Sequence, residues 1–238
     1  MTMTTIAFLC CLAALELSPA PQKIIADSKN AFQLHPGVAV VVADQATEAE
    51  LALLKPLFAV IGYNLPVYPA SQYSGSDGAI FIGVAGRHDA LDRRSLRRFS
   101  RDAEKLSPGG YRLSVWRRGA VLAGSDGAGA FYGLQTLLQL AAPDPILWPC
   151  VDITDWPDLP VRGAYLTGLP IRDRLEALAK HKCNWVVFDS PDFQQLDGVK
   201  RDAWRRAFDD ARSLFIEPVP LLSTLSRAES LLARAPAA

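Results

Sequence analysis

Two rhythms of hydrophobic and polar residues divide the chain. In the first stretch, from about Leu34 to Leu147, strand-like and helix-like patterns are mixed. Val38 to Ala43 (VAVVVA) is an unbroken apolar run after Pro36-Gly37, the mark of a buried strand. Thr47 to Val60 carries Leu51, Leu54 and Phe58 at helical spacing. Leu65 to Tyr68 and Ala79 to Val84 predict two more strands, the second introduced by the turn pair Asp77-Gly78. Tyr111 to Val115 and Ala120 to Ala123 predict a hairpin around Arg117-Arg118-Gly119. Ser125-Asp126 offers capping oxygens for a helix to about Ala141, with Phe131, Leu134, Leu137 and Leu138 on its inner face. These elements predict an open α+β domain over residues 34–150, a sheet covered by two or three helices.

After Pro157 the pattern becomes strictly alternating. Strands are expected at Arg162–Thr167, Asn184–Asp189 and Phe215–Leu222, and helices at Ile171–His181, Lys200–Leu214 and Arg227–Arg234. Near-continuous apolar strands (WVVF, EPVPLL) predict parallel pairing with burial on both faces. The boundary is placed in the Pro- and Asp-rich stretch from Pro143 to Pro160, with the second unit at 151–238.

The N-terminal run Ile6–Leu17 is apolar but too short to span a bilayer as a helix. Ser18-Pro19-Ala20 then has the small-x-small form of a signal-peptidase site, so residues 1–22 are expected to be a secretory leader and the protein secreted or periplasmic. A retained N-terminal helix is the alternative, because no Lys or Arg precedes the run and Glu16 interrupts it. No later stretch is apolar enough for a membrane span. Cys10 and Cys11 fall in the leader, and Cys150 and Cys183 lack metal-ligand spacing. Buried thiols are the default for both, with a disulfide as the other reading.

Composition changes this picture only by exclusion. Twenty-five basic residues balance twenty-five acidic ones, which argues against a nucleic-acid binder. The one basic cluster, Arg93 to Arg98, reads as a solvated helix face before a polyanion site.

Three motifs carry more information: GYRLSV at 110–115, AGAFYGLQTLLQL at 128–140 and DWPDLPVRG at 155–163. In the second, Ala128, Gly129 and Gly133 keep one helix face slim enough to lie against a sheet. The spacing Gly127, Gly129, Gly133 does not match a dinucleotide fingerprint, so packing is preferred to a phosphate cradle. In the third, two prolines enforce extended backbone and Trp156 can plug a domain interface. Asp155 and Asp158 precede the first strand of the alternating β/α stretch, at its N-terminal end, so capping or salt-bridging is preferred to a catalytic pair.

In this order and spacing the trio resembles the junction of the small N-terminal domain and the barrel in glycoside hydrolase family 20, the β-N-acetylhexosaminidases. Ile216 to Leu221 is similar to the family's third barrel strand, so the likeness runs over roughly residues 35–238. The resemblance implies a zincin-like α+β domain followed by an incomplete (β/α) TIM-barrel segment of about three strands. It implies a glycan containing N-acetylhexosamine as partner, hydrolysed by a substrate-assisted retaining mechanism. In that mechanism the substrate's N-acetyl group attacks, an aspartate orients it and the adjacent glutamate is the acid. That Asp-Glu pair follows the fourth barrel strand. A barrel takes about 250 residues, and 78 follow Pro160. No catalytic residue is therefore expected here.

Members follow Arg-Gly with three apolar residues, an aspartate and, three positions later, a sugar-gripping arginine. Here Thr167 and Pro170 stand at those places, leaving Arg172 as the substitute candidate. Asp189 is the second substrate-binding candidate, by a resemblance that places FDSPDF (Asp189, Asp192) along the sugar pocket; a loop or helix cap is its other reading. His35, His88 and His181 are scattered and no HExxH occurs, so neither metal nor cofactor is expected. A similar small domain precedes the barrel in O-GlcNAcase-like and α-glucuronidase-like enzymes.

Two functions from different classes follow. One is the N-terminal part of an exported glycosidase, inactive by itself, with self-association through open barrel edges. The other is a non-catalytic module that binds glycan or a partner protein.

Overall fold

The computed structural model describes residues 16–46, 51–52, 54–75, 78–87, 91–93, 106–194 and 197–222. The chain divides into two compact units, residues 1–158 and 159–238.

The first unit is built on a seven-stranded mixed sheet. In chain order its elements are β1 (Lys23–Gln33), β2 (Ala39–Val42), α1 (Lys55–Ile61), β3 (Val67–Pro69), β4 (Ala79–Val84), β5 (Tyr111–Trp116), β6 (Gly119–Gly124), α2 (Gly127–Ala141) and β7 (Leu147–Asp155). The strand order is β1-β7-β5-β6-β4-β2-β3. Strands β3, β2, β4 and β6 pair in parallel, while β5, β7 and β1 add antiparallel neighbours.

Helix α2 sits on one face, chiefly over β6 and β5, with α1 beside it. Asp126 caps α2 by accepting from the Gly129 amide at 2.7 Å, and its other oxygen accepts from the Gly109 amide at 2.8 Å. The helix lies so close that a Cβ on Gly129 would meet the Gly110 carbonyl oxygen at 2.1 Å. One on Gly133 would meet Leu122 Cδ1 at 2.2 Å. Between helix and sheet the Tyr111 hydroxyl pairs with Thr136 Oγ1 at 2.7 Å. Burial, then the nearby Asp155 charge, pushes the Tyr111 phenol far up, so it stays neutral. On the other face Val41, Phe81, Leu91, Val121 and Ala123 form a buried cluster, with Tyr73 and Trp116 packed against it.

Three expectations need correction. The sheet extends past 34–150 at both ends, because β1 and much of β7 were not foreseen. β1 (KIIADSKNAFQ) is an edge strand, so Ile24 and Ile25 remain exposed and no clean alternation marks it. β7 occupies the stretch read as a boundary. Its Pro149 lies where the β1 register jumps between Asp27 and Ala31, a bulge that avoids asking proline for an amide. Leu51 and Ala52 are helical as expected, but a turn at Leu54 separates them from α1, which starts at Lys55 with Pro56 in its first turn and turns Leu57 and Ile61 inward while Phe58 is only half-buried. Residues 47–50 of the expected helix lie outside the described residues.

Near the N-terminus Leu17 is buried, and Ser18 exchanges backbone hydrogen bonds with the Gln139 amide at 2.8 and 3.0 Å. Trp156 lies under the Lys23 ammonium, 5.3 Å from the ring centroid. Buried Asp155 accepts from the Gln22 amide at 3.2 Å, a structural use of that carboxylate.

The second unit contains β8 (Gly163–Thr167), α3 (Arg172–Lys180), β9 (Trp185–Asp189), α4 (Gly198–Ser213) and β10 (Glu217–Leu221). The strands form a parallel sheet in the order β10-β9-β8. The expected helix at Arg227–Arg234 lies outside the described residues. Cys150 is buried and Cys183 half-buried, and both are thiols.

The fit of α2 yields the first prediction. Gly129→Ala gains up to about 1 kcal/mol of helix propensity but forces a methyl into a carbonyl. A net loss of about 1–3 kcal/mol is expected. Urea unfolding of the variant reads it, and an unchanged or raised midpoint would contradict the close approach.

Candidate functional site

The chemistry-bearing residues of the second unit are sorted by the strand period of two. Register places Gly163, Trp185 and Glu217 in one row, then Tyr165, Val187 and Val219, then Thr167, Asp189 and Leu221. These rows share one face. The opposite face, with Leu166, Val186 and Phe188, receives the helices: Phe188 meets Trp204 edge-on at 5.6 Å and stacks on Phe208 at 5.8 Å. Leu175, Ala179, Ala207 and Ala211 complete that core. The first face has no such cover among the described residues. Tyr165 is 56 % exposed, Leu221 41 % and Trp185 36 %. Burial on both faces, expected from the apolar strand sequences, is therefore corrected to burial on the helical face. On the other face Tyr165, Trp185 and Leu221 are exposed, while Val187 and Val219 are half-buried.

Asp189 ends β9 on this open face. Its carboxylate accepts a short hydrogen bond from the Tyr165 hydroxyl on the neighbouring strand. Its backbone carbonyl accepts from the Gly168 amide at 2.8 Å, in a turn where Gly168 takes a φ of +73°. Thr167 is its register neighbour on β8. A carboxylate, two hydroxyls and the Trp185 ring thus lie along one sheet face, and Asp189 and Thr167 mark its C-terminal end. Such a set can accept and donate to sugar hydroxyls and stack on a pyranose.

The other candidate is placed elsewhere. Arg172 donates from Nε to Glu176 at 2.8 Å and from Nη1 to Asp210 at 2.6 Å, linking α3 to α4. Helices α3 and α4 cover the opposite face from Asp189, so the structure does not bring these two together. The reason is local. Pro170 and Ile171 carry the chain out of the strand end, and Arg172 becomes the first residue of α3.

Asp192 is likewise absorbed by packing. It takes a hydrogen bond from Lys200 at 2.9 Å and one from the Trp204 indole at 3.3 Å, which ties the turn after β9 to α4. The Lys200 hydrogen bond foremost holds its carboxyl below the ordinary 3.8. His181 caps the end of α3, His35 accepts from the Gly37 amide through Nδ1 at 3.2 Å, and His88 lies outside the described residues. Tyr165 was not singled out from sequence. The signal available was its place two residues before Thr167, which puts both on one face.

Comparison with known proteins defines the class. A curated β-hexosaminidase of Porphyromonas gingivalis (strain ATCC BAA-308 / W83) is 26 % identical over 219 residues, 88 % of this chain and 25 % of the relative. The chain thus spans about a quarter of that relative's length. The solved β-N-acetylhexosaminidase of Bacteroides fragilis NCTC 9343 superposes with a TM-score of 0.68 at 16 % identity, over 94 % of this chain and 48 % of that one. The GH20 β-N-acetylhexosaminidase of Streptomyces coelicolor A3(2) gives 0.64 at 20 %, over 87 % and 46 %. CpGH84D gives 0.74 at 17 %, over 93 % and 40 %. At these identities the structures establish the fold.

The class is that of the glycoside hydrolases. Residues 14–156 match the family model described as glycosyl hydrolase family 20, domain 2, and the chain belongs to that family.

Two predictions follow from the geometry. Arg172→Ala and Asp210→Ala should each cost less than about 1 kcal/mol, because the pair is half-exposed, and should be non-additive in a double-mutant cycle. Strict additivity in urea melts would contradict the ion pair. A lowered Asp192 carboxyl stabilises the fold fully above pH 3.8, and that contribution is lost as pH falls through the lowered value. Carboxyl-carbon NMR should find the Asp192 midpoint below 3.8; a midpoint at or above it would contradict the contact, and Lys200→Ala should raise it.

Proposed function

We propose that this chain supplies the zincin-like N-terminal domain and the first three β/α units of the catalytic barrel of an exported β-N-acetylhexosaminidase. The substrate is a glycan ending in N-acetylhexosamine, cleaved by the substrate-assisted retaining route. One observation carries the reading: a family 20 domain 2 is followed in the same chain by a parallel β/α/β/α/β unit. Barrel strands are covered by helices outside and by facing strands inside. The open face that carries Tyr165, Trp185 and Asp189 corresponds to the inner one. Asp189 then stands at the C-terminal strand ends, where barrel enzymes do their chemistry. It serves as a hydroxyl-binding group held in place by Tyr165.

These 238 residues do not perform hydrolysis alone. The family's adjacent orienting aspartate and acid glutamate have no counterpart, since no aspartate in the sequence is followed directly by glutamate. Nor does the sheet of β8, β9 and β10 enclose a sugar by itself. Its open edges favour self-association of the isolated chain.

The test is an assay of the purified chain with 4-nitrophenyl N-acetyl-β-D-glucosaminide. No turnover above the uncatalysed background is expected. Turnover abolished by Asp189→Asn would overturn the incomplete-site reading and make Asp189 a group that acts on the substrate directly.

A further inference from the structure

We propose that a groove on the first unit binds an acidic saccharide. The groove lies at the N-terminal ends of the parallel strands β2, β4 and β6. The connection from β1 to β2 runs along these ends, and the β5–β6 turn closes one side. Its volume is about 720 Å³, within the range of small-ligand sites of roughly 300–1,000 Å³.

Its lining selects for sugar. Tyr68 is 40 % exposed and lies 6.2 Å from Tyr73, the rings tilted by 40°. Tyr73 is braced from behind by an edge contact with Phe81 at 5.8 Å. The electron-rich faces of such rings attract the C–H-rich face of a pyranose. Gln33 and Gln72 add amides that both donate and accept, suited to hydroxyls. His35 uses Nδ1 to accept from the Gly37 amide, which leaves Nε2 as the donor.

Its charge selects for an anion. Exposed Arg117, at the tip of the turn, contributes a guanidinium suited to a carboxylate or sulfate. A nucleotide is a poorer fit. The tilted tyrosines leave no parallel slot for a base, and no helix N-terminus is among the lining segments to take a phosphate.

Two stretches of the described wall are pinned by hydrogen bonds before any ligand arrives. The Ser71 amide donates to Asp44 Oδ1 at 2.7 Å, pinning the short 3-10 turn Ala70–Gln72 between the two tyrosines. The Gly78 amide donates to the Arg118 carbonyl at 2.7 Å, pinning the hairpin turn to the start of β4. A groove that needs little ordering loses little affinity to it.

The test uses the whole 238-residue chain with three probes: 3′-sialyllactose, a sulfated chondroitin disaccharide and neutral N,N′-diacetylchitobiose. Saturation-transfer NMR and calorimetry should detect an acidic probe at about millimolar affinity. Sialyllactose alone marks a carboxylate site, the chondroitin disaccharide alone a sulfated uronate site, and both together a general anion requirement. Tyr68→Ala and Arg117→Glu should each weaken binding about tenfold or more. Both side chains are exposed, so circular dichroism should stay unchanged. Binding of chitobiose as tight as that of the acidic probes would overturn the proposal. So would tighter binding of ATP, no binding of an acidic probe at about 10 mM, or undiminished binding in both variants.

Discussion

The close seating of α2 on the sheet is the constraint from which the first unit is built. Gly129 rests on the Gly110 carbonyl, and Gly133 rests on Leu122 and Tyr111. A side chain at Gly129 would meet backbone, and one at Gly133 the Leu122 and Tyr111 side chains, so both glycines seat the helix close to the sheet. Asp126 fastens the same corner by holding the amides of Gly129 and Gly109 with its two oxygens. The Ser125 amide, bonded to the Gly110 carbonyl at 2.8 Å, closes it. Every other member of the layer is referred to this corner, because β5 and β6 lie beneath it and α1 leans on α2. The motifs GYRLSV and AGAFYGLQTLLQL are its two halves. They can be recognised because backbone-to-backbone approach tolerates little besides glycine and alanine.

The same logic explains what could and could not be read from the chain. β4, the β5–β6 hairpin and α2 were legible because each buries a regular face or carries a cap, and the pattern states it. β1 was illegible because an edge strand with a bulge has half its surface in water and no obligation to alternate. β7 was hidden by Pro149 and its acidic neighbours, which look like linker residues until the bulge in β1 supplies a place where proline's missing amide does no harm. In the candidate site, Asp189 was reachable by family resemblance, whereas its partner Tyr165 was visible only once strand period was used to assign faces. Arg172 is engaged with Asp210 on the helical side, and spacing along the sequence does not say on which side of the sheet a helix begins.

The second unit shows how an apolar strand sequence can overstate burial. Val187, Val219 and Leu221 alternate with residues that face α3 and α4, yet Leu221 is exposed along with Tyr165 and Trp185. Apolar composition on both faces records what the strand is suited to meet, and the described residues supply cover on one. The helical side is dense, with Phe188, Phe193, Trp204 and Phe208 in mutual ring contact. Asp192 and Lys200 lock its rim. The sheet is therefore held from the helix side, and its other face keeps its shape without being filled.

That arrangement bears on the residue that stands at the end of β8. An aspartate at position 167 would stand in register beside Asp189, and two carboxylates on neighbouring strands repel unless a cation is shared between them. Position 170 is a proline, and Arg172 is engaged with Asp210 between the helices. The neutral hydroxyl of Thr167 brings no second charge beside Asp189. Asp189 still requires a donor, and Tyr165 provides one from within the sheet. At this strand end a single carboxylate, Asp189, is thus held by the Tyr165 phenol, with the neutral hydroxyl of Thr167 beside it in register.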